Sequence, residues 1–262
     1  MLKTRPTGSR KAKPALFATD LVRRILARQK WETRRPMRRQ IPNHLIEEEP
    51  QRVWKTLVRE MWGRFDDVPS FREVEGLHRC PFGAVGDILW VRETWAHDHE
   101  SMDALRSEVE GMMAPLICHG PYYRADGVHE DTGLTWRPSI HMPKWLCRLV
   151  MPIVEVRVER LQDITEDGAR AEGVTEVEEC DRTRVPCEEI GCWGASRRGE
   201  FGWIWNRIYA KDAKMPHDAS STGLSWHDNP WVWVARWNPD EILIDEAAQQ
   251  ALVGLERSKG GR

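Results

Sequence analysis

The sequence predicts an α+β fold, a small β-barrel that carries helical insertions. Several segments alternate apolar and polar residues as strands do, and the longest runs from Leu146 to Leu161. Other segments repeat apolar residues at the spacing of one helix face. The two kinds do not follow each other in a βαβ rhythm, which argues against a doubly wound parallel sheet. A chain of 262 residues can form one large domain with insertions.

The first ordered unit follows a basic, apolar-poor segment, residues 1–13, which we expect to be a disordered tail. A single domain is predicted for residues 14–240. Its first helix is indicated by apolar residues that recur over about two turns, at Leu16, Phe17, Leu21, Val22, Ile25 and Leu26. Pro36 favours an extended backbone before it, so residues 30–35 are predicted to enter a strand. In that strand Lys30, Glu32 and Arg34 face one side, and Trp31, Thr33 and Arg35 face the other.

Three segments are predicted to be insertions, at about residues 38–80, 96–135 and 176–199. The first contains an amphipathic helix from Val53 onward, and the second contains a helix from Asp103 to Met112 after a histidine-bearing loop. The third is an irregular loop with Cys180, Cys187 and Cys192. These thiols either bind zinc or stay free; their spacing is not Cys-x-x-Cys and a fourth ligand is lacking, which favours free thiols and no metal.

A turn at Gly86-Asp87 leads into a predicted strand in which Leu89, Val91 and Glu93 alternate with Ile88, Trp90 and Arg92. Further on, two prolines frame the segment from Trp136 to Pro143 and predict an extended path. Ser139 and His141 then face one side of it. His141 is either a polar group in a pocket or a structural hydrogen-bonding residue.

The long strand is followed by elements with clear boundary residues. Within it, Val154, Val156 and Val158 are predicted to face one side, and Glu155, Arg157 and Glu159 the other side. Thr165 is a candidate N-cap for a short helix, and Gly173 is its candidate left-handed stop. Glu172 would then lie in the last turn, where the helix dipole disfavours a carboxylate, which hints at a functional role.

The chain closes with a helix, a strand and a second helix. Apolar residues at helical spacing predict the first helix, at Phe201, Ile204, Trp205, Ile208 and Tyr209. The closing strand ends at Trp237, and residues 241–262 are predicted to form a C-terminal helix and tail.

Charge and composition restrict the classes of partner. With 39 basic and 41 acidic side chains the net charge is −2, which argues against holding nucleic acid by bulk charge. Arg34, Arg35, Arg38 and Arg39 nevertheless crowd one segment, either as a solvated charged face or as a phosphate-contacting patch. Some of the fourteen tryptophans are candidates for stacking on a base. Scattered cysteines and the lack of a long apolar run predict a cytoplasmic protein without membrane contact.

Two motifs carry a resemblance to a known family. Ile25-Leu26, Lys30, Thr33 and Arg35 form the pattern Ile-Leu-x-x-x-Lys-x-x-Thr-x-Arg, which resembles the signature of ASCH domains, small β-barrels of the PUA-like superfamily. Residues 90–95, Trp-Val-Arg-Glu-Thr-Trp, are similar to the long ASCH proteins of bacteriophages and prophages. The signature has glycine where this chain has Arg28. If that position needs a positive φ, a non-glycine residue costs about 1–2 kcal/mol.

The resemblance implies a site and a chemistry. ASCH proteins that hydrolyse N4-acetylcytidine use a lysine, a threonine and a glutamate, which match Lys30, Thr33 and, through the pattern Ile-Thr-Glu-x-x-Ala-x-x-Glu, Glu172. This implies a nucleobase pocket and amidohydrolase activity on an acylated pyrimidine nucleoside, without a cofactor. The remaining candidates for binding substrate or nucleic acid are Arg34, Arg35, Trp90, Arg92, Glu93, Ser139 and His141.

Other interpretations remain open. In a flat strand Lys30 and Thr33 lie on opposite faces, so a bulge or turn between them is needed to bring both into one pocket. Lys30 and Glu172 also fit a purely structural ion pair. At the level of function, the alternatives are a non-catalytic RNA- or DNA-binding module that uses Arg34, Arg35 and aromatic stacking, and a ribonuclease.

Overall fold

The structure is a computed structural model that describes residues 10–37, 40, 80–96, 121–127, 134–175, 196–212 and 218–260. Several predicted features lie outside these residues: the basic segment 1–9, Arg38 and Arg39, the two helices of the first two insertions, His97 and His99, and the cysteines Cys180, Cys187 and Cys192.

The described residues form a mixed α+β architecture, which confirms that part of the predicted fold. The strands are β1 (Ala12–Leu16), β2 (Glu32–Pro36), β3 (Ile88–Arg92), β4 (Trp95–Ala96), β5 (Tyr122–Tyr123), β6 (Leu149–Arg160), β7 (Trp231–Trp237) and β8 (Leu243–Ile244). The helices are α1 (Thr19–Leu26), α2 (Glu166–Ala171), α3 (Arg197–Tyr209) and α4 (Glu246–Gly260).

Six strands join in one sheet, ordered β1-β3-β6-β7-β2, with β8 also paired to β6. β4 and β5 form a separate two-stranded sheet. Within the described residues the strand order ends at β1 and β2 and does not close into a barrel. One core cluster packs α1 against this sheet, and its members Val22 and Ile25 are completely buried, as their helical spacing predicts.

β6 is the long strand around which the sheet is built. Its first residues pair antiparallel with β3, and the rest pair antiparallel with β7 from Ile153 to Arg160. The pairing register shifts between Ile153 and Glu155. This irregularity rotates Val154 outward, to 39% exposure, whereas Val156 and Val158 remain buried. The predicted alternation is therefore right for Val156 and Val158 and wrong for Val154.

The sequence does not predict β1, and its assignment of Leu16, the last residue of this strand, to the first helix is wrong. Ala12 pairs with Ile88 in a parallel register, and the Lys11 amide donates to the Asp87 carboxylate at 2.9 Å. These contacts order residues 12 and 13, which the prediction placed in the tail. Leu16 ends this strand, and the helix starts at Thr19.

The segment between the two prolines is not extended. Ser139–His141 forms a 3₁₀ turn in which the Met142 amide donates to the Ser139 carbonyl at 3.1 Å. Pro138 precedes this turn, where its missing N–H costs no helical hydrogen bond. The predicted C-terminal helix is present as α4. Among the described residues no helix is both long and apolar enough to cross a membrane.

Arg28 occupies the position where the ASCH signature has glycine, and its φ is +59°. We expect Arg28→Gly to raise the free energy of unfolding by about 1 kcal/mol, because glycine adopts this conformation without steric cost. Denaturant unfolding followed by circular dichroism measures the change. The control is Gln250→Gly, at an exposed position of α4 where φ is helical. There glycine should lower the free energy of unfolding by about 1 kcal/mol. A loss at Arg28 as well would mean that its contact with the Pro239 carbonyl outweighs the strain.

Candidate functional site

The turn after α1 places Lys30. With Arg28 in the left-handed region, the amides of Gln29 and Lys30 both donate to the Arg24 carbonyl, at 2.7 and 3.2 Å. β2 therefore starts only at Glu32, and Lys30 precedes it. The prediction that Lys30 lies within the strand is wrong. In a regular strand Lys30 and Thr33 would face opposite sides. Because Lys30 lies in the turn and not in the strand, this alternation does not apply to it.

Lys30 is completely buried, and its ammonium group has three acceptors. Nζ donates to the Glu32 carbonyl at 2.7 Å, to the Glu172 carbonyl at 2.8 Å and to Glu172 Oε2 at 2.5 Å. Burial lowers the pKa of Lys30 below its usual value, and the Glu172 carboxylate opposes that change. All three N–H groups of the buried ammonium are thus satisfied.

The short helix α2 brings Glu172 to Lys30, although the two residues are 142 positions apart. Thr165 Oγ1 accepts from the Gly168 amide at 3.0 Å, and Gly173 ends the helix with φ +93°. Both boundary predictions are confirmed. The Trp31 amide donates to the Ala171 carbonyl at 2.8 Å, which fixes the end of the helix beside the segment that carries Lys30.

Gly173 is a test of this close packing. A Cβ at Gly173 would lie 3.2 Å from the Lys30 Cβ and 3.1 Å from the Arg24 Cδ, in addition to the strain of a positive φ. We expect Gly173→Ala to lower the free energy of unfolding by about 2 kcal/mol or more. Gly223 also has a positive φ, but a Cβ there would meet no atom within 4 Å, so Gly223→Ala isolates the backbone strain. Equal losses at the two glycines, measured by thermal denaturation, would contradict the packing argument.

Arg34 joins the same site from β2. Its Nε lies 2.8 Å from Glu159 Oε1, its NH1 3.3 Å from Glu172 Oε1 and its NH2 3.0 Å from Glu32 Oε2, and only 1% of the side chain is exposed. The contact between Arg34 and Glu32 agrees with the predicted shared face. Arg34 is thus part of a buried ion network and not of a solvated charged face.

Arg157 extends this network from β6 and donates to Glu32 Oε1 at 2.8 Å and to Glu159 Oε2 at 2.8 Å. Burial alone would raise the pKa of Glu32, but the hydrogen bond from Arg157 and the charges of Arg34 and Arg157 lower it overall. The charged residues of β6 that the sequence assigns to one face, Arg157 and Glu159, are therefore partners of β2. The sequence places Arg157 and Glu159 on one side of the strand, but it does not predict that they form ion pairs with residues of β2.

Thr33 and Glu172 line one cavity of about 460 Å³, a volume typical of small-molecule sites. Lys30 contacts Glu172 but does not line the cavity. α3 also lines this cavity, with Phe201, Ile204, Trp205, Ile208 and Tyr209. Sequence reasoning found this apolar stripe but interpreted it only as a helix face. A second cavity, of about 570 Å³, lies beside Glu32, Arg34 and Arg157.

Arg35 lines the first cavity and adds a positive charge. Its guanidinium donates to the Leu16 carbonyl at 2.8 Å and to the Arg34 carbonyl at 3.2 Å. It also lies 5.8 Å from the centre of the Phe17 ring. Burial raises the pKa of Tyr209 in α3, and the nearby Arg35 opposes that change. Within the described part of the chain, Arg35 has no carboxylate partner.

The other candidate residues lie together at a different place. Trp90 belongs to a separate core cluster, and the Arg92 guanidinium lies 5.5 Å from its ring. Arg92 also donates to the Ile140 carbonyl, beside Ser139 and His141 in the 3₁₀ turn. These residues line neither of the two cavities described above.

Glu93 is buried near that second group, and both of its oxygens accept from Arg148 at 3.0 Å. Burial raises the pKa of Glu93, and Arg148 opposes the change. Arg148 also pairs with Asp126 at 2.8 Å and lies over the Tyr123 ring at 4.0 Å. Sequence reasoning missed Arg148, since nothing in its own segment marks it as the partner of Glu93.

Thr33 and Glu172 thus line one cavity, and the buried ammonium of Lys30 contacts Glu172 without lining it. Among the described residues, no group of three or more histidine, cysteine or acidic side chains has an arrangement that fits a metal ion. Comparison with known proteins adds no family, since no family model, no curated protein and no solved structure matches this chain.

Proposed function

We propose that this chain is an ASCH, PUA-like protein that binds an acylated pyrimidine nucleoside in the 460 Å³ cavity and hydrolyses its amide. The observation that carries the proposal is that Glu172, 2.5 Å from Lys30 Nζ, lines the same cavity as Thr33. These are the residues that the ASCH resemblance assigns to catalysis, and they come from distant parts of the chain.

The two end strands of the sheet support the barrel that the proposal includes. Leu16 ends β1 and Arg35 lies in β2, at opposite ends of the strand order. The Arg35 side chain nevertheless donates to the Leu16 carbonyl at 2.8 Å. Phe17, next to Leu16, contacts Trp237 of β7, with ring centres 6.3 Å apart. A sheet whose ends approach in this way curls as a small barrel does.

Hydrolysis needs a nucleophile, a proton carrier and a positive group near the developing oxyanion. Thr33 supplies the hydroxyl that attacks the acyl carbonyl. Glu172 takes its proton and passes it to the leaving amine nitrogen as the C–N bond breaks, and water then hydrolyses the acyl ester. Lys30 holds Glu172 in place by charge, and Arg35 provides positive charge at the cavity wall.

The α3 wall suits the base of the substrate. Phe201 and Tyr209 present aromatic side chains to the cavity, and bases in RNA-binding proteins stack on such rings. Stacking is tolerant of base identity, so selectivity for the acyl group would come from its placement against Thr33 and Glu172.

The test is to incubate the protein with N4-acetylcytidine and to follow the release of cytidine. We expect Thr33→Val and Glu172→Gln each to reduce kcat by about 100-fold or more, with the circular dichroism spectrum retained. Glu246→Gln, on an exposed part of the chain, is the matched control for Glu172→Gln and should leave kcat unchanged.

Two results would refute the proposal in different ways. Turnover that survives both active-site substitutions would place the reaction elsewhere. No turnover, together with salt-sensitive binding of oligonucleotides, would favour the non-catalytic binding module.

A further inference from the structure

We propose that the ligand of this cavity is a free pyrimidine nucleoside 5′-monophosphate and not a bare nucleoside. The inference rests on the proposed function, since it takes the cavity as the site of the base. The inference concerns three arginines, of which the proposed hydrolysis uses only Arg35.

Arg24, Arg35 and Arg207 line the cavity from α1, β2 and α3, respectively. Within the described residues none of them has a carboxylate partner at ion-pair distance. Two of the carboxylates that line the cavity are already engaged: Glu172 contacts Lys30 and Arg34, and Asp20 contacts Arg23 at 3.4 Å. Glu200 is a third carboxylate on this cavity and Arg34 a fourth arginine, so four arginines and three carboxylates leave the lining with a net charge of +1.

Each arginine alone has an ordinary explanation. Arg24 lies in the last turns of α1 and Arg207 in those of α3, where a cation suits the helix dipole. Arg35, however, lies on a strand, and all three border one cavity. Like charges at one cavity repel, and a phosphate dianion relieves that repulsion. The guanidinium fork also matches phosphate oxygens in geometry.

The volume of the cavity and the net charge of the chain favour a single nucleotide over a nucleic-acid polymer as the ligand. The volume of about 460 Å³ is that of a site for one small ligand. The net charge of −2 argues against holding a nucleic-acid backbone by bulk charge. The aromatic side of the cavity takes the base, and Arg24 and Arg207 take the phosphate.

Isothermal titration calorimetry of the full chain with cytidine, CMP and inorganic phosphate tests the proposal. We expect CMP to bind about tenfold more tightly than cytidine, and this preference to shrink as salt is raised. In the double variant Arg24→Gln, Arg207→Gln, the affinity for CMP should fall to near that for cytidine. Arg236→Gln, which removes an arginine of the other cavity, should keep the preference.

The outcomes separate this inference from the proposed function. Equal affinities for cytidine and CMP would overturn the phosphate site while the nucleoside site stands. A preference for CMP that persists in the double variant would also overturn it. Failure of both ligands to bind would refute the site as a whole. Tighter binding of a 5′-phosphorylated oligonucleotide than of CMP would overturn the assignment to a free nucleotide.

Discussion

Arg34→Met should lower the free energy of unfolding by about 3–5 kcal/mol, the usual cost of removing one partner from a buried ion network. The Arg34 side chain is 1% exposed and contacts three carboxylates, those of Glu32, Glu159 and Glu172. Methionine fills a similar volume but leaves these largely buried carboxylates with fewer compensating charges. The loss therefore comes from uncompensated charge and not from a cavity.

Denaturant unfolding followed by circular dichroism gives the change in free energy. Arg236→Met is the matched control, because Arg236 lies 3.9 Å from Glu155 and 48% of its side chain is exposed. Such a pair contributes about 0–1 kcal/mol. A similar small loss at Arg34 would show that water or neighbouring side chains replace it, and that the network is not a stability determinant.

The sequence predicts an element well where its apolar periodicity and the residues at its ends indicate the same structure. α3 follows the helical spacing from Phe201 to Tyr209, and α2 has Thr165 and Gly173 at its ends. For these elements local preference and tertiary burial favour the same structure, so pattern alone is enough.

The errors occur where one residue leaves the regular pattern. The register shift after Ile153 turns Val154 to solvent; Pro152, just before it, is the residue type that signals such an irregularity, and the apolar alternation alone does not show it. Arg28 adopts a conformation that usually requires glycine, so it gives no turn signal. Because of that turn, Lys30 lies outside the strand. The conformation at these positions depends on tertiary contacts, which the local sequence pattern does not show.

The candidate site residues also fall into two groups, those that the structure brings to one cavity and those that it places elsewhere. The residues Lys30, Thr33 and Glu172 are singled out by the resemblance to ASCH proteins; in the structure Glu172 contacts Lys30 and lines the same cavity as Thr33. Trp90, Arg92 and Glu93 also follow a recognisable pattern, but they pack at another place. Spacing identifies segments, whereas the assembly of segments depends on contacts that are distant along the chain.

Lys30 and Glu172 should show a strong energetic coupling. We expect Lys30→Met and Glu172→Met each to lower the free energy of unfolding by about 3–5 kcal/mol, because each leaves its partner buried with fewer opposite charges. The double variant should lose less than the sum, with a coupling of about 1–3 kcal/mol. The coupling will not restore full stability, since the Glu32 carbonyl also loses its donor.

A double-mutant cycle on chemical denaturation measures this coupling. The exposed pair of Asp20 and Arg23, 3.4 Å apart in α1, is the matched control, and its cycle should give about 0.5 kcal/mol or less. A coupling near zero for Lys30 and Glu172 would mean that the two are not paired in solution, which would remove the basis of the proposed reaction. A strong coupling in a protein that never releases cytidine would instead establish the pair as purely structural, since burial and pairing alone account for it.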